Sequence, residues 1–303
     1  VTVATVHEPG PVDVAALGRP IKGPQALTGD WRRFWHLAFN LAKNNWKLRF
    51  FGSALGVVWQ VVRPLLLFGV LYVFFTKVAH IASGVGTGPH QPDHFYGSQL
   101  LGAIVLFTYL QEATMGAVRC VVDNEVLVRK IEFPRMVIPV AAVLLSTFNA
   151  LLNVLVVLIF CLIEGVRPML SWLELPLIIF GVMVFATGLA MLLATAFVYF
   201  RDIQPIWEVT LQVLFYASGV MIPMQDAQPP HLPPVLFKLY LMNPMTVLLQ
   251  QFKHAVVNPY TYGVAYWAHG YAWLLIPGAI VVGTFALGLW VFNRAAPYVA
   301  DNL

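Results

Sequence analysis

Six apolar runs, each near the length that crosses a lipid bilayer, restrict this 303-residue chain to very few folds. They lie at about 57–79, 98–118, 136–163, 173–200, 206–224 and 271–293. A hydrocarbon core is about 30 Å thick, so about 20 apolar residues wound as a helix make one crossing. Backbone N–H and C=O groups find no water in lipid, and runs this long must therefore close their hydrogen bonds internally. Composition agrees: 11% of residues are charged, where a soluble domain carries about a quarter. Too little polar surface remains to face water on all sides. The expected fold class is an all-α integral membrane protein with six transmembrane helices.

Charge then sets the orientation. Cytoplasmic loops of membrane proteins collect Lys and Arg. If the N-terminus lies in the cytoplasm, every one of the 18 Lys and Arg falls on a cytoplasmic segment except Lys77, Arg167, Lys238 and Lys253. Both termini are therefore expected inside. The net charge of +4 follows this topology and is no sign of nucleic acid. Arg63 sits near the start of the first run, where its side chain can snorkel to the inner interface, and Pro64 beside it predicts a kink. Residues 1–30, rich in Pro and Gly with little periodicity, read as a flexible cytoplasmic tail.

Ahead of the first run, WRRFWHLAFNLAKNNWKLRF (31–50) separates into two faces when wound as a helix. Trp31, Phe34, Trp35, Leu37, Ala38, Phe39, Leu41, Ala42, Trp46 and Leu48 share an arc of roughly 200°. Arg32, Arg33, His36, Asn40, Lys43, Asn44 and Lys47 lie opposite, with Asn45 and Arg49 intruding on the apolar side. Three tryptophans backed by cations suit a helix lying in the membrane interface, its rings at headgroup depth.

Polar residues inside the runs are few. Glu112, in LFTYLQEATMGAV, is an intramembrane carboxylate and so a default functional or interhelical group; Arg119, Arg63, Lys77 or a histidine are its expected partners. Phe68, Tyr72, Phe75, Tyr109, Trp207, Phe215 and Tyr216 are candidates to line a pore, because aromatic faces stack on the C–H faces of sugars; they also serve as plain packing. Cys120 and Cys161 read as small core residues. His90, Asp93 and His94 stand close together in a loop whose Pro and Gly oppose the helix that would align them, so no metal site is expected. The connection after the fifth run is half apolar over 232–257 and broken at Asn243-Pro244. Two short helices dipping into the membrane and returning would fit it, since irregular backbone survives at depth only where protein covers it.

No G-x-x-x-x-G-K-[ST] loop, G-x-S-x-G elbow or H-E-x-x-H motif occurs. The chain has no phosphate cradle of that kind, and transport is the leading class. The order of its pieces resembles the membrane (permease) subunit of ABC-2 type exporters of lipid-linked polysaccharides, the O-antigen, teichoic acid and galactan exporters. That order is the basic amphipathic helix, FGSALGVVWQVVRPLL, LVRKIEFPRMVIPV, VYFRDI and the NP-broken segment. The resemblance implies a bacterial inner-membrane homodimer enclosing a channel, and residues 51–303 as the six-span domain with a re-entrant segment at about 224–260. It implies a separate ATPase subunit that carries the ATP and Mg, with no cofactor on this chain. Asn124, Glu125, Arg129, Lys130, Phe133, Pro134, Arg135, Arg201 and Asp202 would couple to that ATPase. Trp31, Arg32, Arg33, Trp35, Lys43, Trp46, Lys47, Arg49 and Arg63 would form the interface helix and meet the lipid head. Pro223, Asn243 and Pro244 would belong to an outer gate. Two other readings stand beside it: the same architecture exporting a small lipid or drug, and a proton-coupled transporter centred on Glu112.

The charge distribution yields a direct test. Reporters fused to the two ends in turn are expected to be active only in the cytoplasm; one end reporting from the opposite side would overturn the topology.

Overall fold

The computed structural model describes residues 31–50, 56–78, 95–128, 133–221, 233–257, 263–267 and 271–299. All regular structure among them is helical. In chain order the helices are α1 (Trp31–Phe50), α2 (Gly56–Val73, closing in a π turn, Phe74–Val78) and α3 (Tyr96–Val118). Two single turns follow, α4 (Cys120–Asp123) and α5 (Glu125–Val128), then α6 (Val137–Glu164). A 3-10 turn, Leu170–Glu174, leads into α7 (Leu175–Tyr199), which is followed by α8 (Ile203–Ala217). The rest is α9 (Pro234–Met242), α10 (Pro244–Phe252, with a π turn, Lys253–Val257), α11 (Val264–Trp267) and α12 (Tyr271–Val299).

Five helical stretches among the described residues are long and apolar enough to cross a membrane: Gly56–Val78, Tyr96–Val118, Val137–Glu164, Leu170–Tyr199 and Ala272–Ala295. Each coincides with an expected run. Of the run expected at 206–224, the residues described, to 221, form α8 and the turn after it, and the 15 residues of α8 extend roughly 22 Å, short of a bilayer core. The apolar sequence continues past Ala217, but Gly219 takes a left-handed backbone (φ 66°) and ends the helix. The 79–94 loop, with His80, His90, Asp93 and His94, lies outside the described residues, as do Arg129, Lys130, Pro223 and the 1–30 tail.

α3 is the hub. It is buried along most of its length, whereas α2 and α12 contribute only a narrow buried stripe. α6 and α7 pack on α3, with α2, α8 and α10 closing around it, and α12 lies outside against α7. α2 continues helically through Pro64, which is buried. Between α7 and α12 the two backbones touch. A Cβ on Gly188 would come within 2.7 Å of the Phe285 backbone, and one on Gly288 would collide with the Gly188 carbonyl oxygen. Lipid tails are as apolar as side chains, so helices in a bilayer associate through such close van der Waals contact at small residues.

α1 lies across α6. The stripe it buries is narrower than the expected arc: Phe34, Ala38 and Ala42 are covered, with Leu37 and Leu41 packed beside them. Trp31, Trp35, Phe39 and Leu48 remain exposed. The protein covers only the centre of the apolar face; the flanking rings touch it at their edges, Phe39 on Phe148 of α6 at 5.6 Å, and leave much of their surface for the membrane interface.

Replacing Gly188 or Gly288 by Leu forces side-chain volume between touching backbones and is expected to lower the thermal midpoint in detergent by several degrees. Gly278→Ala, where nothing lies within 4 Å of an added Cβ, should leave the midpoint unchanged or raise it slightly. Equal midpoints for all three variants would refute the contact.

Candidate functional site

The carboxylate of Glu112 is held between two amides from other helices. Its Oε1 accepts from Gln60 Nε2 on α2 at 2.6 Å, and its Oε2 accepts from Asn149 Nδ2 on α6 at 3.1 Å. The basic partners expected from sequence are not the groups that meet it. Arg119 lies 3.9 Å from Asp123, with both side chains more than half exposed, and Arg63 and Lys77 are exposed. Amide N–H groups satisfy a carboxylate without bringing a second charge into an apolar region. One turn away on α3, Tyr109 Oη lies 2.7 Å from Thr147 Oγ1 of α6. Sequence reasoning missed Gln60 and Asn149. Their signal was rarity: Gln60, Asn149 and Asn153 are amides set in otherwise apolar runs, and all three are buried. The Oδ1 atoms of Asn149 and Asn153 have no partner among the described residues.

The candidate pore aromatics divide. Tyr109 and Phe68 are interior; the Phe68 ring packs on Tyr72 at 5.4 Å and Phe160 at 5.3 Å, so neither wets a channel in this chain. Phe75, Trp207 and Phe215 are half-buried, with Phe215 edge-on to Phe107 at 5.1 Å. Tyr72 and Tyr216 are exposed. Along α3 only Gln111 and Gly116 are exposed. Gln111 lies between the side facing α2, held by the Glu112 joint, and the side facing α8, held by the Phe107–Phe215 contact. Tyr96 Oη donates to Met221 O at 3.1 Å, which together with the Phe107–Phe215 contact makes α3 and α8 antiparallel and brings Gln111 and Gln212 to similar depth. On α8, Glu208, Gln212 and Tyr216 are exposed at four-residue spacing, on one face. Uncovered polar groups at this depth are costly in lipid and are expected to face protein or water.

At the far end of α8 several helices are tied together. Asn243 Oδ1 accepts from Met245 N at 3.0 Å, capping α10, and its Nδ2 donates to Ser218 Oγ at 3.1 Å. Pro244 at the first helical position has no N–H to lose. The buried Lys253 Nζ donates to Gly219 O at 3.0 Å. A Cβ at Gly219 would land on the Tyr240 hydroxyl. The carbonyls of Ala255 and Val256 in the π turn accept from Ser171 Oγ (2.6 Å) and Trp172 Nε1 (3.0 Å). Gln251 Nε2 donates to Glu174 Oε2 at 2.7 Å, and Phe252 packs onto Gly102, docking α10 on α3.

The charged connection is built from the turns α4 and α5. Asn124 Nδ2 donates to Cys120 O at 2.8 Å, and burial pushes the Cys120 thiol up, leaving it unreactive. Glu125 and Phe133 are half-covered, and Pro134 is buried. Arg135 departs from expectation. It is only 3% exposed, and its Nε donates to Val128 O at 3.2 Å, so it braces the connection from within and does not project to a partner. Arg201 and Asp202 are exposed at the α7–α8 turn, as are Arg32, Arg33, Lys43, Lys47 and Arg49 on α1; Trp46 is half-buried, 5.2 Å from the Phe50 ring.

Residues 36–257 match the family model described as ABC-2 type transporter. Among curated relatives, an O-antigen export system permease protein RfbA of Klebsiella pneumoniae is 23% identical over 258 residues, covering 85% of this chain and 91% of that protein. A second protein of that name and organism is 26% identical over 176 residues, 58% of this chain and 64% of its own length. The protein of the same name from Myxococcus xanthus is 25% identical over 217 residues, 72% of this chain and 78% of its own length.

The Glu112 joint predicts an ordered mutational series. Glu112→Ala strands two amide groups and is expected to cost about 1–3 kcal/mol per group left unpaired. Glu112→Gln keeps one acceptor and should fall well short of that loss. Unfolding in a mild denaturing detergent ranks the three proteins, and an Ala variant as stable as the parent would refute the joint.

Proposed function

Because the chain belongs to the ABC-2 type transporter family, its match spanning residues 36–257, we propose that it is the transmembrane subunit of an ATP-driven exporter of a lipid-linked polysaccharide. The substrate class rests on relatives named for O-antigen export along most of the chain. The feature of the molecule that supports a path is the polar strip on α3 and α8, with Gln111, Glu208, Gln212 and Tyr216 uncovered among apolar neighbours. A single copy would set these groups against lipid. Two copies facing each other would enclose them in a hydrated seam, with Tyr72 and Tyr216 offering rings to passing sugars.

On this reading a separate ATPase supplies the energy. Asn124, Glu125, Arg129, Lys130 and the exposed Arg201 and Asp202 form the surface it grips, while Arg135 keeps that surface rigid. The lipid-pyrophosphate head first meets Arg33, Arg49 and Arg63, because guanidinium pairs with phosphate through two parallel hydrogen bonds. α9 and α10 form the outer closure, which opens when Ser218 and Gly219 part from Asn243 and Lys253. A proton-coupled mechanism is less well supported, since Glu112 is occupied by amide donors at both oxygens.

The decisive measurement is ATP-dependent movement of a radiolabelled lipid-linked glycan in vesicles containing this chain and its nucleotide-binding partner. Arg129→Ala with Lys130→Ala should lower transport at least tenfold while the membrane subunit keeps its thermal midpoint. Arg135→Ala should lower the midpoint itself. Hydrolysis of ATP by the purified chain alone, or transport sustained by a proton gradient without ATP, would sink the proposal.

A further inference from the structure

Between the first turn of α1 and the helices α6, α7 and α12 lies an apolar cleft of about 340 Å³. Val140 and Val143 of α6, Phe180 and Val184 of α7, and Phe285 and Leu289 of α12 form its walls. Ligand pockets run from about 300 to 1,000 Å³, so the space is large enough to take a hydrocarbon chain. Three rings stand at its mouth. Trp31 stacks on Phe34 at 5.9 Å, Trp35 meets Trp31 edge-on at 5.6 Å, and Trp35 meets Phe34 at 5.8 Å. Trp31 and Trp35 have a second side. With Arg32, His36 and Phe39 they line a shallow, largely apolar surface groove next to the cleft, to which Arg32 and His36 bring the only basic side chains. One pair of indoles therefore separates the cleft from a groove that carries Arg32 and His36.

We propose that this paired site binds an anionic phospholipid of the bilayer, with one acyl chain in the cleft and its phosphate in the Arg32–His36 groove. Chain, interfacial ring and cation occur here in the order in which a lipid presents tail, glycerol and phosphate. A zwitterionic lipid would fill the cleft equally well but gain less from the groove, since basic residues near the surface favour anionic headgroups. The bound chain completes the packing of the α1 N-terminal turn, where only Phe34 is buried and Trp31 and Trp35 are exposed. The lipid thereby fixes α1 against α6 and α7, and the composition of the leaflet sets how firmly that helix is held.

The test uses the full-length chain in lipid nanodiscs containing either phosphatidylglycerol or phosphatidylcholine with a photoreactive acyl chain, followed by mass mapping of the adducts. Phosphatidylglycerol should label the 180–191 and 285–289 segments about fivefold or more above phosphatidylcholine, the preference that one nearby basic residue supplies. Arg32→Gln with His36→Gln should bring the two lipids to parity. Val184→Trp should abolish cleft labelling while labelling of the exposed α2 residues Leu66 and Val70 persists. The parent pattern decides the matter even if that variant fails to fold. Three results would each overturn the proposal: equal labelling by both headgroups in the parent, displacement of phosphatidylglycerol by equimolar polyprenyl phosphate, or cross-linking of a Met183→Cys probe to residues 1–30.

Discussion

Inside a bilayer a helix can stop only where something else supplies the hydrogen bonds it leaves open. The interruptions in this molecule follow that constraint. α10 begins on the Asn243 side chain. The π turn after α10 gives two carbonyls to Ser171 and Trp172. The chain leaving α8 is met at Gly219 by Lys253 and at Met221 by Tyr96. The start of α3 is met by Glu164, which accepts from the Ser98 N–H at 3.0 Å and from its hydroxyl, adding negative charge at the positive end of the helix dipole. Apart from the Asn243 cap, the donor or acceptor comes from a different element of the fold. The breaks are therefore also the places where the helices are fastened to one another, and a change at one is felt by its neighbours.

Much of the architecture was legible beforehand because bilayer thickness converts directly into sequence length. The runs containing α2, α3, α6, α7 and α12 were plain for that reason, and the break at Asn243-Pro244 was plain because proline cannot continue a helix donor chain. The end of α8 was not, because hydropathy sees Val220 and Met221 as more of the same while the backbone turn depends on Gly219. The width of the buried stripe on α1 was hidden too: a helix with apolar flanks looks alike whether protein or lipid covers them. Tertiary partners were the least visible. Glu112 advertised itself, but Gln60 lies 52 residues away and Asn149 lies 37 residues away, and nothing local marks either as its neighbour. Arg135 misled for a related reason. A basic residue in a charged connection reads as surface, and only the fold shows it turned inward to the Val128 carbonyl.

Two kinds of polar group share this membrane domain. Glu112, Gln60, Asn149, Tyr109 and Thr147 spend their hydrogen bonds on each other and bind α2, α3 and α6 into one block. Gln111, one position from Glu112, is turned outward with Glu208 and Gln212. Adjacent residues of one helix thus serve cohesion on one side and stay uncovered on the other, a division that the 100° step of an α-helix makes available.

The crossing of α7 and α12 has a mechanical meaning. Where Gly188 meets Gly288 no side chain lies between the two helices to change rotamer, so the joint lacks the usual lubricant for sliding. α8, short and largely open on one face, meets α3 through the rings of Phe107 and Phe215 and is fastened only beyond its last turn, at Ser218, Gly219 and Met221. The subunit is thus graded from a stiff keel at α7 and α12 to a compliant edge at α8. Strain delivered to such a body concentrates at the edge, where the uncovered polar groups are found.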